Sequence, residues 1–264
     1  MFNKLRSLFT PAPELPAEPQ ASVPAGQRVY AIGDIHGRLD LFEQLLGLIE
    51  ADDAARGPAD TRLVLLGDLI DRGPESRGVI ERAMAMMQGG KVRVLAGNHE
   101  EMLLGSLQDE ETLRHFLRHG GKETMFSYGL TQDDYSTAKL DLLRQRLNEL
   151  VPPSHIAFMR GMENQIAYGD YLFVHAGIRP GVPLDEQTVS DLRWIRREFL
   201  DHDEPYSHVV VHGHTIADEP VIRPNRVGID TGAFASGRLT AIGLEADERW
   251  FLSGSIEPAE MPAR

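Results

Sequence analysis

The sequence predicts an α/β fold, because short apolar runs alternate with helical stretches along its first hundred residues. Three runs, at 28–32, 62–66 and 92–96, have the length and the β-branched content of buried strands. The segments 38–53 and 75–87 lie between these runs and are predicted to be helices. This order of strand, helix, strand, helix and strand is typical of α/β proteins.

The second half of the chain is predicted to be helical first and then rich in strands. Residues 98–160 are mostly helical in pattern, with breaks at 119–130 and at Pro152 and Pro153. Further strands are predicted at 171–174, 208–211, 226–229, 238–245 and 249–252. Composition does not shift within this region, so one domain is expected.

The chain of 264 residues, 42% of them hydrophobic, is long enough for one large domain with a full core. We place this domain at 27–255. Residues 10–26 are rich in Pro and Ala, so residues 1–26 are predicted to form a disordered N-terminal tail. Residues 256–264 are predicted to form a short C-terminal tail.

Charge and cysteine content exclude several classes of protein. The formal net charge of −13 disfavours DNA as a main partner. The chain has no cysteine, which excludes thiolate metal sites and cysteine-based phosphatases and proteases. No apolar stretch approaches the ~20 residues that a transmembrane helix needs. A cytoplasmic location is therefore expected.

Six of the predicted strands are each followed at once by a loop with unusual polar residues. These loops are Gly33–Gly37, Gly67–Gly73, Gly97–Glu100, His175–Gly177, His212–His214 and Asp230–Gly232. A single Gly-Asp pair after a strand is usually a turn or a helix cap. Six loops in succession that supply Asp, His or Asn indicate a shared site, since ligands of open α/β sheets bind at the carboxyl ends of strands.

The side chains in these loops are suited to divalent metal ions. Asp34 and His36 lie two residues apart, and burying this pair is costly unless a positive charge accompanies it. Oxygen and imidazole ligands without sulfur favour Mn²⁺, Fe²⁺ or Zn²⁺, whereas Ca²⁺ prefers more oxygens. Two metals ~3.5–4 Å apart commonly serve phosphoester displacement.

The motifs GDIHG (33–37), GDLIDRG (67–73) and GNHE (97–100), with the later HAG (175–177) and GHT (213–215), resemble the calcineurin-like metallophosphoesterases. Within these, the chain resembles the bacterial and phage branch of the phosphoprotein phosphatase family, over about residues 28–244. The resemblance implies a β-sandwich of two mixed sheets flanked by helices, in four αββα layers. It also implies a metal-bridging hydroxide as the nucleophile.

The resemblance further implies which residues bind two divalent ions. Asp34 and His36 would bind the first ion, and Asp68 would bridge both. The second ion would be completed by Asn98, His175 and His214. Mn²⁺ is the expected metal, with Fe and Zn as alternatives.

Four other residues would act in catalysis. His99 would be the general acid, oriented by Asp71, and Arg72 would grip phosphate oxygens. The stretch LRWIRREF (192–199) is similar to a Trp-x-Arg stretch of phage members, which nominates Arg196 as a second phosphate clamp.

Two departures from the eukaryotic members support the bacterial branch. Ala96 replaces the arginine that precedes GNHE in those members, and their C-terminal motif with a tyrosine is absent from this sequence. No regulatory subunit is therefore inferred.

Three functions are compatible with these motifs. A serine/threonine protein phosphatase acting on a phosphoprotein is the first choice, because of Glu100 and the segment 120–129. The alternative is a symmetrical dinucleoside tetraphosphatase, acting on diadenosine tetraphosphate or capped RNA. A non-catalytic metal-binding regulatory protein is disfavoured because His99, Asp71 and Arg72 are all present.

Overall fold

Ten strands form the centre of the molecule in a computed structural model, which describes residues 21–256. The strands are β1 (Gln27–Ile32), β2 (Asp60–Leu65), β3 (Val92–Val94), β4 (Gln165–Tyr168), β5 (Tyr171–Val174), β6 (Val209–His212), β7 (Val221–Ile222), β8 (Arg226–Gly228), β9 (Arg238–Glu245) and β10 (Glu248–Ser255). Of these, β4 and β7 were not predicted from the sequence, because Gln165–Tyr168 is not a continuous apolar run and β7 has only two residues.

The strands form two mixed sheets of five strands each. The first sheet has the order β10-β9-β1-β2-β3, in which β1, β2 and β3 are parallel and β9 and β10 are antiparallel to their neighbours. The second has the order β4-β5-β6-β8-β7, with β5, β6 and β8 parallel. Each sheet therefore has a parallel centre, and the two centres place six carboxyl ends at the functional site.

The helices lie before, between and after these strands. They are α1 (Leu39–Arg56), α2 (Ser76–Met87), α3 (Asn98–Ser106), α4 (Glu110–Phe116), α5 (Lys122–Ser127), α6 (Gln132–Thr137), α7 (Leu140–Leu150), α8 (Pro153–Arg160), α9 (Val189–Trp194), α10 (Arg197–Leu200) and α11 (Ala233–Ser236). A π-turn at Leu117–Gly121 joins α4 to α5, and a 3₁₀ turn lies at Leu184–Glu186.

Several helices begin at a residue whose side chain satisfies a free backbone N–H group. Asp109, Thr131 and Thr188 each accept a hydrogen bond from the backbone N–H three residues further on. These capping contacts are local, because each joins two residues that are three apart in the chain. The α3 helix has no such residue at its start, and its cap belongs to the site described below.

Alternating side chains of the strands fill two different layers of the core. In β1, Val29 and Ala31 pack between the sheets, whereas Tyr30 and Ile32 face the helices on the outer side of the first sheet. The first sheet is thus covered by α1 to α8, and α9 and α10 cover the outer side of the second. The predicted four-layer αββα sandwich of two mixed sheets is confirmed.

The N-terminal end of the described chain packs on the domain, although residues 21–26 were predicted to belong to a disordered tail. Val23 is buried between the sheets, and the backbone N–H of Ser22 donates to the Asp170 carboxylate at 2.9 Å. An apolar side chain and a backbone donor therefore extend the ordered region before Gln27. The predicted tail residues 1–20 and 257–264 lie outside the described residues.

Between residues 21 and 256, none of the helices combines the length and the apolar composition needed to cross a membrane.

Candidate active site

The six polar loops meet at one edge of the sandwich. Three of them follow β1, β2 and β3 of the first sheet, and the other three follow β5, β6 and β8 of the second. Because each loop leaves the carboxyl end of a parallel strand, both sheets contribute side chains to the same place. The predicted metal ligands are all buried there, with 6% exposure or less.

The Asp68 carboxylate lies at the centre of the site. Its Oδ1 atom is 3.4 Å from His175 Nε2, and its Oδ2 atom is 3.6 Å from His36 Nε2 and 3.8 Å from His99 Nε2. Two groups of potential ligands share this carboxylate, one with His36 and His99 and the other with His175 and His214. Within each group the ligand atoms lie within 4.8 Å of one another.

The imidazoles are oriented as metal ligands usually are. His36 Nδ1 lies 2.8 Å from the Ile70 carbonyl, and His175 Nδ1 lies 2.8 Å from the Leu66 carbonyl. The Nε2 atom of each ring therefore faces Asp68. Nε2 of His214 is buried and has no hydrogen-bond partner among residues 21–256. An unpartnered buried nitrogen is costly in a protein interior, and a metal ion would satisfy it.

The charges of these groups also suit a divalent metal. Burial lowers the pKa of His36, His175 and His214, so the imidazoles are neutral and can bind metal. The residues present therefore fit a pair of divalent ions.

Asn98 and Asp34, the other two predicted ligands, also contact residues of the site. Asn98 Oδ1 is 3.0 Å from His175 Nε2, close to the second group. Asp34 lies outside both three-residue groups, and its carboxylate accepts a hydrogen bond from the backbone N–H of His214 at 3.0 Å. Burial, Asp230 and Asp68 raise the pKa of Asp34 well above its usual value.

The backbone of the site is strained. In the described residues, six residues other than glycine have a positive φ, and five of them are site residues. These five are His36, Asp68, Asp71, Arg72 and His214. Left-handed conformations are unfavourable for such side chains and concentrate at functional sites. Close packing also requires glycine at Gly97 and Gly213, where a Cβ atom would lie 2.0 Å from an oxygen of Asp68 and of Asp34 respectively.

His99, Asp71 and Arg72 form a connected group beside Asp68. His99 Nδ1 lies 2.6 Å from Asp71 Oδ2, and the Arg72 guanidinium lies 3.1 Å from His99 Nε2 and 2.8 Å from His36 Nε2. Burial disfavours the charged form of His99, but Asp68 and Asp71 outweigh it and raise the pKa of His99. The predicted acid, its orienting carboxylate and the predicted phosphate clamp are therefore adjacent.

Asp71 is held in turn by two residues that sequence reasoning missed. Thr124 on α5 donates its hydroxyl to Asp71 Oδ1 at 2.5 Å, and the backbone N–H of Asp71 donates to Thr124 and to Ser76, at 2.9 Å each. All three residues are fully buried. Nothing local in the sequence links Thr124 to a loop 53 residues earlier.

Glu100 connects two of the loops through hydrogen bonds to their backbone. Its carboxylate accepts hydrogen bonds from the backbone N–H groups of Asp68, Leu69 and Gly97, at 3.0, 2.8 and 2.8 Å. The side chain is fully buried, and burial raises its pKa to about 7. Glu100 thus caps α3 and fixes the loop that carries Asp68, so its identity is explained by the fold.

Asp230, which lies just after β8, and Phe234, which lies in α11, complete the surroundings. Asp230 is buried near Asp34, and burial raises its pKa to about 6. The half-buried ring of Phe234 lies 5.5 Å from the His36 ring and 4.7 Å from the Arg72 guanidinium. Asp230 was recognised in the sequence only as part of a polar loop, and Phe234 was missed.

Arg196, the second predicted clamp, is exposed at the edge of the site. It lies two residues after the end of α9 and donates to Thr215 Oγ1 at 3.4 Å, next to His214 in the chain. Its guanidinium therefore lies on the side of the second ligand group.

Three comparisons place this arrangement among known proteins. A model described as calcineurin-like phosphoesterase matches residues 27–233. An asymmetrical bis(5'-nucleosyl)-tetraphosphatase of Anoxybacillus flavithermus is 30% identical over 234 residues, which are 80% of this chain and 88% of that protein. A symmetrical bis(5'-nucleosyl)-tetraphosphatase of Neisseria gonorrhoeae is 28% identical, over 83% of this chain and 93% of that protein.

Solved structures share the fold at lower identity. A candidate diadenosine tetraphosphatase is 21% identical with a TM-score of 0.60, over 90% of this chain and all of that one. A cold-active protein-tyrosine phosphatase of a Shewanella species is 19% identical with a TM-score of 0.54, over 88% and 83%. At these identities the likeness speaks for the fold alone.

Proposed function

The chain belongs to the calcineurin-like phosphoesterase family, and on that premise we propose that it hydrolyses a phosphoanhydride bond of dinucleoside tetraphosphates. The observation that carries a phosphoester-hydrolase function is the position of Asp68, whose carboxylate is shared by two groups of buried ligands beside Arg72 and His99. A single buried carboxylate between two ligand groups suits a pair of divalent ions. The chemistry supplied by bound ions would be charge neutralisation and activation of water.

The roles of the chain's own residues follow from their contacts. The six predicted ligands, Asp34, His36, Asp68, Asn98, His175 and His214, would hold the ions. Arg72 now donates toward Nε2 of both His36 and His99, and a phosphate oxygen can replace these nitrogens as the acceptor. Nε2 of His99 is then free to carry a proton, which Asp71 favours through Nδ1.

In the reaction, a water oxygen forms a bond to phosphorus and releases a proton to solvent, while the bond from phosphorus to the departing oxygen breaks. The electron pair of that bond stays on the leaving nucleotide. His99 Nε2–H would give its proton to this oxygen, while Arg72 and Arg196 would hold the other phosphate oxygens.

The choice of substrate rests on the names of the relatives and on the contacts that Glu100 and the segment 120–129 make in the structure. The two curated relatives above are named as dinucleoside tetraphosphatases, so the alternative weighed from the sequence is better supported than the serine/threonine phosphatase. Both cues for a protein phosphatase have structural explanations. Glu100 caps backbone N–H groups, and the segment 120–129 supplies Thr124 to Asp71.

The test compares two substrates on one preparation of the full chain with added divalent metal. We expect kcat/KM for diadenosine tetraphosphate to exceed that for a phosphoserine peptide by about 100-fold, or roughly 2.7 kcal/mol of transition-state preference. Chromatography of the products distinguishes two ADP from AMP and ATP. A 100-fold preference for the peptide would restore the protein-phosphatase function, and metal binding with no turnover of either substrate would indicate a regulatory protein.

A further inference from the structure

A recess of about 510 Å³ lies on the surface between α3, α4 and the end of α9. Its volume falls in the range of small-molecule sites. Its lining includes Glu101, Met102, Glu111, His115, Arg118 and Trp194. None of these residues has a role in the candidate active site described above.

Three elements lead from the active site into this recess. The α3 helix begins with Asn98 and His99, so Met102 follows about one helical turn, roughly 6 Å, further along the same helix. Trp194 precedes the predicted clamp Arg196 by two residues. The π-turn that follows His115 contacts the site directly, since the Gly120 carbonyl accepts a hydrogen bond from the backbone N–H of Arg72 at 3.0 Å.

The walls of the recess present two aromatic rings, and a hydrogen bond holds one of them, the Trp194 indole. The ring centroids of His115 and Trp194 are 6.3 Å apart, and those of His115 and His119 are 4.1 Å apart. The Trp194 indole donates to one oxygen of Glu101 at 3.2 Å, and Arg193 donates to the other at 2.9 Å. The edge of the indole is therefore held while both rings remain half-buried.

The polar and charged groups of the recess suit the base and the phosphates of a nucleotide. Burial, with His119 and Arg118, lowers the pKa of His115, which therefore offers a neutral ring for stacking. The exposed Glu111 carboxylate can accept from the exocyclic amino group of a purine. Arg118 adds a positive charge for the phosphates that lead to Arg72.

We propose that this recess is a nucleobase subsite, in which a base of the substrate stacks on the Trp194 indole and contacts the His115 ring, tilted by 43° to it, while its phosphate chain extends to Arg72. This assignment rests on the proposed function, because it names the part of a dinucleotide that lies outside the reacting phosphates. Stacking against aromatic rings is a general mode of base binding.

Intrinsic fluorescence tests the subsite without turnover. The chain has two tryptophans, and Trp250 lies on β10, at the opposite edge of the first sheet from β3. With AMP as the probe and the metal-loaded full chain, we expect saturable quenching that is lost in Trp194→Phe, whose ring preserves the packing. Ribose 5-phosphate, which has no base, should not quench. Absence of quenching in the wild type, or its persistence in Trp194→Phe, would overturn the proposal.

A second measurement uses hydrolysis and a matched histidine. In His115→Ala, the ratio of kcat/KM for diadenosine tetraphosphate to that for inorganic tetraphosphate should fall about tenfold, or ~1.4 kcal/mol. The control is His202→Ala, because His202 is likewise half-buried and lies 5.0 Å from the ring of Tyr206 elsewhere on the surface. The control should keep the wild-type ratio.

The outcomes separate the two proposals. Quenching by AMP without hydrolysis of the dinucleotide would contradict the proposed function and leave the subsite standing. Hydrolysis with no quenching and an unchanged ratio in His115→Ala would contradict the subsite and leave the function standing.

Discussion

At the scale of single residues, His99 is the group whose surroundings define its chemistry most narrowly. Its Nδ1 atom is bound to Asp71 at 2.6 Å, and its Nε2 atom faces Arg72 and the Asp68 carboxylate. His99 also belongs to the group of potential metal ligands that contains His36 and Asp68, so geometry alone would allow it to bind metal. A variant can distinguish an acid from a ligand.

His99→Ala should slow hydrolysis by ~10²–10⁴-fold, and the loss should depend on the leaving group. Phenyl phosphate needs a proton on its departing oxygen more than p-nitrophenyl phosphate does, since nitrophenolate spreads its own charge. We therefore expect the larger loss on phenyl phosphate, measured as kcat/KM, with metal content unchanged. The surface variant His208→Ala should match the wild type. Equal losses on both esters, or a lost metal ion, would show that His99 is not the acid.

At the scale of elements, α5 has a role that its sequence does not reveal. It is a helix of six residues, and its Thr124 hydroxyl is the contact that fixes Asp71 from the side opposite His99. The preceding Gly120, with a φ of +106°, lies against Arg72, where a Cβ atom would be 2.6 Å from Arg72 Cγ. The segment thus positions two consecutive residues of the site.

Thr124→Val should therefore reduce kcat by roughly 10–100-fold, because a methyl group of similar volume replaces the hydroxyl that binds Asp71. Thr124→Ser keeps that hydroxyl and should retain most of the activity. The pH dependence of kcat should shift in the valine variant and not in the serine variant, since Asp71 stabilises the charged form of His99. A purely structural role for Thr124 predicts a loss of thermal stability with an unchanged pH profile.

At the scale of the whole molecule, the candidate metal centre joins the two sheets. Asp34, His36 and Asp68 follow strands of the first sheet, whereas His175 and His214 follow strands of the second. Ions bound between them would hold the sandwich together at this edge, and any ligand of the native state alone stabilises that state by mass action.

Removal of metal should consequently lower the thermal midpoint of unfolding. At ion concentrations about 100 times the Kd of each site, each ion contributes about 2.7 kcal/mol, and roughly 10–20 °C should be lost when chelation removes both ions. Added Mn²⁺ should restore the midpoint, with two ions per chain by metal analysis. Asp68→Asn should abolish both activity and the rise of the thermal midpoint on adding Mn²⁺. In the variant Asp185→Asn, at an exposed position, the midpoint should rise as in the wild type. One ion or none per chain in fully active protein would contradict a pair.

Most of the site could be predicted from the sequence because its residues sit in short, continuous loops at strand ends. Asp34 with His36, Asp68 with Asp71 and Arg72, and Asn98 with His99 each lie within five residues. A buried strand is recognisable from its apolar run, and a polar loop directly after it is unusual enough to be noticed. The resemblance to the family rests on those loops, and the expected metal ligands come from that resemblance.

The tertiary structure alone decided which side chains support these loops from inside the protein. Glu100 looked like a marker of substrate type, but it accepts three backbone hydrogen bonds inside the protein. Thr124 reaches Asp71 across 53 residues, and the recess beside Trp194 forms only where α3, α4 and α9 meet. Contacts between residues far apart in the chain leave no periodic signal, because they depend on how helices and sheets pack rather than on local propensity.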